Sequence, residues 1–92
     1  MNFTISKTKI RSGDPPPRVV KVKNFLDSLP DGELLIYDEL ENRIKISRST
    51  LIITKKHPLL IGYWVMALVD EHHVCLFANP KTIAAYTKEF LA

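Results

Sequence analysis

The clearest structural signal in this 92-residue chain comes from one stretch, Asp38-Glu39-Leu40-Glu41-Asn42-Arg43-Ile44-Lys45-Ile46-Ser47-Arg48-Ser49-Thr50-Leu51. Leu40 and Ile44 lie one helical turn apart, and the acidic residues that open the stretch favour the positive end of a helix. Ser47 has the side chain of a good N-cap, which predicts a second helix that begins at Arg48. The pattern therefore predicts two short helices joined by a brief connector.

The chain before this stretch is divided by a run of prolines. Asp14-Pro15-Pro16-Pro17 stops any regular element, because proline lacks a backbone donor and fixes φ. We therefore predict a basic arm with a proline linker over residues 1–17 and one folded domain over residues 18–92. Apolar residues then recur at spacings of three and four over residues 18–29, which predicts a helix that Pro30-Asp31-Gly32 ends.

The chain after the quoted stretch changes its hydrophobic period. Pro58 disfavours a helical conformation at His57, so the second helix of the stretch should end near Lys56 or His57. Two β-rich runs flank Asp70-Glu71-His72, which predicts a hairpin with a short polar turn. In chain order we expect a helix at 18–29, a short strand or first helical turn at 34–36, helices at 37–44 and from 48, strands at 63–69 and 73–78, and a helix at 81–91.

Charge is segregated along the chain more strongly than the formal net charge of +3 indicates. Residues 31–42 contain five acidic residues and no basic one, whereas residues 43–56 contain five basic residues and no acidic one. Residues 1–30 contain six basic residues and two acidic ones. A basic block together with a basic arm is the pattern expected for a polyanion partner, although such charges are about as often solvated helix faces.

The composition argues against several classes of protein. The single cysteine, Cys75, excludes an internal disulfide and a cysteine-based zinc cluster, and it favours a reducing cytoplasm. No apolar run reaches the roughly 20 residues that span a bilayer, so we expect no membrane partner. Lys7, Lys9 and Arg11 interrupt the apolar centre that a signal peptide needs, so we expect no signal peptide. His72 and His73 would point to opposite faces of a strand, which argues against a metal site. With no phosphate loop or nucleophile motif, we expect neither an enzyme nor a cofactor.

The quoted stretch resembles the helix-turn-helix of winged-helix DNA-binding domains. That family buries apolar residues at four positions, here occupied by Leu40, Ile44, Ile46 and Leu51. The resemblance implies a mainly helical α+β fold with a three-helix core, a two-stranded β-hairpin wing and a C-terminal helix. Glu41 stands where the family usually has a small residue. Lys45 stands where the family usually has a glycine with left-handed φ, a conformation that costs a lysine about 1 kcal/mol.

The same resemblance implies sequence-specific binding of double-stranded DNA, by a small transcriptional regulator or a phage- or plasmid-type accessory protein. The second helix of the stretch would enter the major groove while neighbouring basic residues contact phosphates. Ile52 and Ile53 cannot both face the core beside Leu51, so at least one of them should face outward. The residues assigned to the DNA interface are Arg43, Lys45, Ser47, Arg48, Ser49, Thr50, Ile52, Lys55 and Lys56.

Two alternatives stay open at this point. DNA would repel an acidic turn at Asp70-Glu71, and outward isoleucines would suit a winged-helix module that binds protein and not DNA. Residues 44–54 are also rich in β-favouring side chains, so they could form a strand of a different α+β fold. Under either DNA or protein binding, the C-terminal helix or the hairpin could join two copies as a homodimer.

Overall fold

The computed structural model describes residues 14–91, which form an α+β fold with four α-helices and a two-stranded antiparallel hairpin. The predicted basic arm over residues 1–13 lies outside the described residues. The elements are α1 (Pro17–Asp27), α2 (Tyr37–Ile44), α3 (Arg48–Thr54), a 3₁₀ turn (Pro58–Leu60), β1 (Trp64–Val69), β2 (His72–Phe77), α4 (Pro80–Tyr86) and a π-helical turn (Thr87–Leu91). Within this part of the chain, no helix has the length and apolar character needed to cross a bilayer.

Helix α1 lies against the core through one apolar stripe. Pro17 occupies its first turn, where the missing backbone N–H would have no helical partner in any case. Val22 and Leu26 are among the most deeply buried side chains of the described chain. The helix ends at Asp27, two residues before the predicted end. Leu29 continues the apolar spacing and is buried, but it reaches the core from the turn that follows the helix.

Helices α2 and α3 form the predicted pair. The inward positions of the quoted stretch all contact the core: Leu40, Ile44 and Leu51 are buried, and Ile46 packs against the same cluster while half-buried. The bounds of α2 and the start of α3 are those predicted from the sequence. The alternative of a strand over residues 44–54 was wrong, because helix capping and the burial of Leu51 and Thr54 on one side favour a helix.

The connector between α2 and α3 contains a left-handed residue. Lys45 has a φ of 60°, and its backbone N–H donates to the Glu41 carbonyl oxygen at 2.9 Å. Ser47 then returns to extended geometry, and its Oγ accepts a hydrogen bond from the Thr50 backbone N–H at 3.4 Å. A hydrogen-bonded left-handed cap followed by an N-cap turns the chain sharply within three residues.

The hairpin packs on the helices and has a two-residue turn. Trp64 pairs with Phe77 at its base and Val69 with His72 at its tip, so only Asp70 and Glu71 form the turn. Leu35 exchanges two backbone hydrogen bonds of 2.8 Å with Phe77, which adds a one-residue bridge on the outer side of β2. Residues 34–36 therefore contain a strand-like bridge, one of the two predicted alternatives.

A buried polar junction joins the start of α4 to the turn that follows α1. The side chain of Asn79 caps α4 by accepting from the Thr82 N–H at 2.8 Å, and its Nδ2 donates to the Leu29 carbonyl oxygen at 2.9 Å. Thr82 Oγ1 accepts from the Gly32 N–H at 2.8 Å. Every buried polar side-chain atom of the described residues has a partner, so the hydrogen bonds of this junction offset the cost of removing its polar groups from water.

Candidate functional site

The surface of α3 divides into three stripes along the helix. Leu51 and Thr54 face the core. A second stripe, spaced at i, i+4 and i+7, lines a groove beside the hairpin and consists of Arg48, Ile52 and Lys55. The third stripe has the same spacing, faces solvent and consists of Ser49, Ile53 and Lys56. We call this last set the solvent stripe. Both isoleucines face outward, with Ile52 39% and Ile53 65% exposed.

Both predicted DNA-contacting arginines form ion pairs within the chain. Arg43 Nη1 lies 2.8 Å from Glu33 Oε2, and its guanidinium carbon lies 5.2 Å from the centroid of the Phe25 ring. Arg48 pairs with Asp38 across the turn between α2 and α3. The side chains of Arg48 and Asp38 are 51% and 67% exposed. Such exposed pairs contribute only about 0–1 kcal/mol, so a stronger anionic partner can replace the carboxylate.

The hydroxyl groups at the start of α3 have mostly local partners. Ser47 Oγ lies 3.1 Å from Thr50 Oγ1 and 3.3 Å from Ser49 Oγ, in addition to capping the helix. Thr50 is half-buried, whereas Ser49 is exposed. Of these three predicted interface residues, Ser49 is therefore the one best placed for an external contact.

Lys55 lies inside the groove with its ammonium group against aromatic rings. Its Nζ lies 4.2 Å from the centroid of the Trp64 ring and 5.5 Å from that of the Tyr37 ring. Trp64 Nε1 donates to the Lys55 carbonyl oxygen at 2.9 Å, which fixes both residues. Burial lowers the pKa of Lys55, but Tyr37 and Cys75 outweigh burial and hold that pKa above its ordinary value. Lys55 stays charged and binds the hairpin to α3.

The groove between α3 and the hairpin has a volume of about 430 Å³. Its apolar lining comes from the start of α2, from α3 and from β1: Ile36, Ile52 and Met66. Cys75 lies at its floor, with Sγ 3.6 Å from Lys55 Nζ. Burial raises the pKa of the Cys75 thiol, and Lys55 opposes that rise only in part. The thiol therefore stays protonated near neutral pH and behaves as the core cysteine that its apolar neighbours predict.

The remaining basic residues near α3 are exposed and have no acidic partner. Lys45 lies in the connector and Lys56 follows the helix; among residues 14–91, no carboxylate lies within ion-pair distance of either one. The predicted interface residues best placed for an external contact are therefore Lys45, Ser49 and Lys56. Ile53 completes the solvent stripe, although it was not among the predicted residues.

The tip of the hairpin carries acidic residues on a constrained backbone. Asp70 has a φ of 50° and Glu71 a φ of 68°, values that suit glycine or asparagine better than glutamate. His72 and His73 follow on the two faces of β2, both exposed. The described residues contain no cluster of three metal-ligating side chains. The turn therefore presents two carboxylates to solvent at the far end of β1 and β2.

Comparison of the chain with protein families, with curated proteins and with solved structures finds no match. The geometry of the site is therefore the basis on which a function can be proposed. The sequence analysis did not foresee that Tyr37 and Trp64 hold Lys55, since a contact between α3 and the hairpin depends on tertiary packing. A local signal marks the start of α4, since an asparagine before a proline is a typical helix start and Asn79 caps this helix.

Proposed function

We propose that this protein binds double-stranded DNA as a winged-helix domain, with α3 as the recognition helix and the hairpin as the wing. The observation that carries the proposal is the solvent stripe of α3, which includes Lys56, with Lys45 beside it. These groups are exposed, and they lie in a segment, residues 43–56, that contains five basic residues and no acidic one. We further propose that the protein acts as a small transcriptional regulator or a phage- or plasmid-type accessory protein.

The dimensions of α3 suit the major groove of DNA. An α-helix with its side chains is about 10–12 Å wide, close to the roughly 12 Å width of that groove. Ser49 can donate to or accept from a base edge, and the exposed side chain of Ile53 can contact a thymine methyl group. Lys45 and Lys56 can bind phosphates, which fix the position of the helix without reading sequence.

Arg48 takes part by exchanging its internal partner for DNA. Its ion pair with Asp38 is exposed and therefore weak, whereas a guanine edge or a phosphate accepts two hydrogen bonds from one guanidinium group. Replacing Asp38 by asparagine removes the competing carboxylate. We therefore expect Asp38→Asn to strengthen DNA binding, while Glu89→Gln, the same change of charge on the π-helical turn, should have little effect.

The test is fluorescence anisotropy of a labelled duplex of mixed sequence, titrated with protein at several salt concentrations. We expect binding at low salt with a steep salt dependence, and Lys45→Gln or Lys56→Gln should each reduce the slope of log K against log salt by about 1. Lys88→Gln, the same loss of charge on the π-helical turn, is the matched control and should leave the slope unchanged.

Arg48→Ala should weaken binding to a selected site more than Lys56→Ala does, because an arginine can read bases. Absence of binding at low salt, or a slope near zero, would falsify the proposal.

A second candidate function is protein binding through the groove, which the exposed apolar surface of Ile36, Ile52 and Met66 favours. A protein bound there would contact mainly apolar groups, so its affinity would change little with salt. The substitution Lys56→Gln separates the two candidates, because it should weaken DNA binding and leave binding of a groove partner unchanged. Ile52→Glu should abolish binding of a groove partner.

A further inference from the structure

Within residues 14–91, the backbone groups on the outer edge of β1 have no partner. Phe77 exchanges its backbone hydrogen bonds with Leu35, so Phe77 and its opposite residue Trp64 form a pair without hydrogen bonds between them. Because such pairs alternate along an antiparallel ladder, Met66 and Leu68 also point their N–H and C=O groups away from β2. No backbone group among residues 14–91 bonds to these three residues on that side.

This edge lacks the features that usually prevent strand pairing. The six residues of β1, Trp-Val-Met-Ala-Leu-Val, include no charged residue and no proline. Met66 is 44% and Leu68 65% exposed, and both side chains lie on the same face of the hairpin. Natural proteins commonly protect an exposed edge with lysine, proline or a bulge, so an apolar edge of this length indicates a pairing surface.

We propose that β1 pairs with β1 of a second copy of this chain, antiparallel and with the two-fold axis at Met66. In this register Met66 lies opposite Met66 of the second copy, and Trp64 lies opposite Leu68 of the second copy. The three residues whose backbone groups point outward then pair with their counterparts. Each pair exchanges two hydrogen bonds, which gives six hydrogen bonds between the two copies. The interface uses the same patch on both copies, as a two-fold dimer requires.

Charge complementarity supports the second copy as the occupant. In this register Leu68 lies opposite Trp64 of the other copy, so the acidic turn Asp70-Glu71 lies just past that Trp64. The C-terminal end of α3 lies beside the same Trp64. Lys55 of each copy is fixed beside Trp64 by a 2.9 Å hydrogen bond, and Lys56 follows it on the surface. The carboxylates of one copy thus meet the basic end of α3 in the other, which accounts for an acidic tip on a hairpin beside a basic helix.

The dimer can be tested without DNA, so its failure and the failure of DNA binding are distinguishable. Sedimentation velocity should show a monomer–dimer equilibrium with a dissociation constant on the order of 100 µM, since a single strand edge is a small interface. Met66→Pro removes only the free N–H and leaves the bonds to β2, so it should raise that constant by about tenfold or more. Leu68→Lys should act in the same direction even if the proline variant fails to fold.

Phe90→Lys is the matched control, because Phe90 is 63% exposed but lies in the C-terminal π-helical turn. It should leave the dimer intact. A chain that stays monomeric up to about 1 mM overturns the proposal. So does a dimer that Phe90→Lys dissociates while Met66→Pro and Leu68→Lys do not, since that result assigns the interface to the C-terminal helix.

Amide hydrogen exchange gives a second readout that monomer stability does not affect. The amides of Met66 and Leu68 should exchange quickly in dilute protein and become protected as the concentration rises. The amides of Val65 and Ala67, which bond to β2, should be protected throughout. Protection of Met66 and Leu68 that does not change with concentration would contradict pairing between copies.

Discussion

Two turns of this molecule have the same backbone strain and opposite charge. Lys45 between α2 and α3 has a φ of 60°, and Asp70 and Glu71 at the hairpin tip have φ values of 50° and 68°. Glycine adopts this conformation freely and does so elsewhere in the chain, at Gly32 and Gly62. Each turn therefore keeps a charged side chain at a position where glycine would be more stable.

The difference in charge indicates what each turn contacts. A strained residue that is retained against its backbone preference is a reason to look for a function of the side chain. Lys45 stands next to the solvent stripe and fits a phosphate. Asp70 and Glu71 would be repelled by DNA, but they complement the Lys55–Lys56 end of α3 in a second copy. On this account the acidic turn, the main objection to DNA binding from sequence, contacts a second copy and not DNA.

Reversing the charge at the two sites should give the largest contrast in DNA binding. The double variant Lys45→Glu/Lys56→Glu should lower the affinity for a duplex of mixed sequence by on the order of a hundredfold at low salt, because two attractive contacts become repulsive. The double variant Asp70→Lys/Glu71→Lys should not weaken DNA binding. Fluorescence anisotropy measures the DNA affinity of both double variants, at protein concentrations well below the dissociation constant of the proposed dimer.

The predicted difference between the two sites would be contradicted if the two double variants changed DNA affinity by similar factors and in the same direction. That result would mean that only net charge matters and that α3 is not a localised interface. Circular dichroism of each variant controls for loss of helix.

Replacing the strained residues by glycine should separate stability from function. Lys45→Gly and Glu71→Gly should each raise the free energy of unfolding by about 0.5–1 kcal/mol, since relief of left-handed strain exceeds the added entropy of the unfolded chain. Lys45→Gly should weaken DNA binding, whereas Glu71→Gly should weaken only the dimer. Urea unfolding measures the stability. Ser28→Gly, at a right-handed position with a φ of −82°, should instead destabilise the chain.

A third charged turn gives the smallest effect. Asp31 accepts from Lys81 at 3.2 Å and from Asn79 Nδ2 at 3.1 Å, and the hydrogen bond from Lys81, followed by that from Asn79, lowers the pKa of Asp31. A lowered pKa in the folded state contributes stability that is present above the ordinary pKa and is lost as pH falls through the folded value. Stability should therefore decline below about pH 4. Asp31→Asn should make that decline shallower in acid unfolding curves, and an unchanged curve would contradict the assignment.

Much of the helical core could be predicted from local chemistry. The spacing of Leu40 and Ile44, the N-cap at Ser47 and the β-rich runs around the hairpin are local signals, and the corresponding elements are present. The end of α1 was harder to predict, because Leu29 keeps the helical spacing although the helix ends at Asp27. An apolar residue can reach the core from a turn as well as from a helix.

The partners of the site residues could not be predicted in the same way. Arg43 and Arg48 each pair with an acidic residue ten positions earlier. The Arg43 pair joins α2 to the segment before it, whereas the Arg48 pair crosses the connector at Lys45. The position of Lys55 over Trp64 depends on how the hairpin packs on α3. These contacts decide which basic residues stay accessible, so a count of charges in the sequence overstates the size of the candidate interface.

The most direct test of the account is a backbone amide NMR titration of the protein with a duplex of mixed sequence. We expect the chemical shifts of Lys45, Ser49, Ile53 and Lys56 to change most, and those of Asp70 and Glu71 to stay nearly constant at protein concentrations below the dimer range. The largest changes at the hairpin tip or in the C-terminal helix, or no changes at low salt, would contradict α3 as the DNA interface.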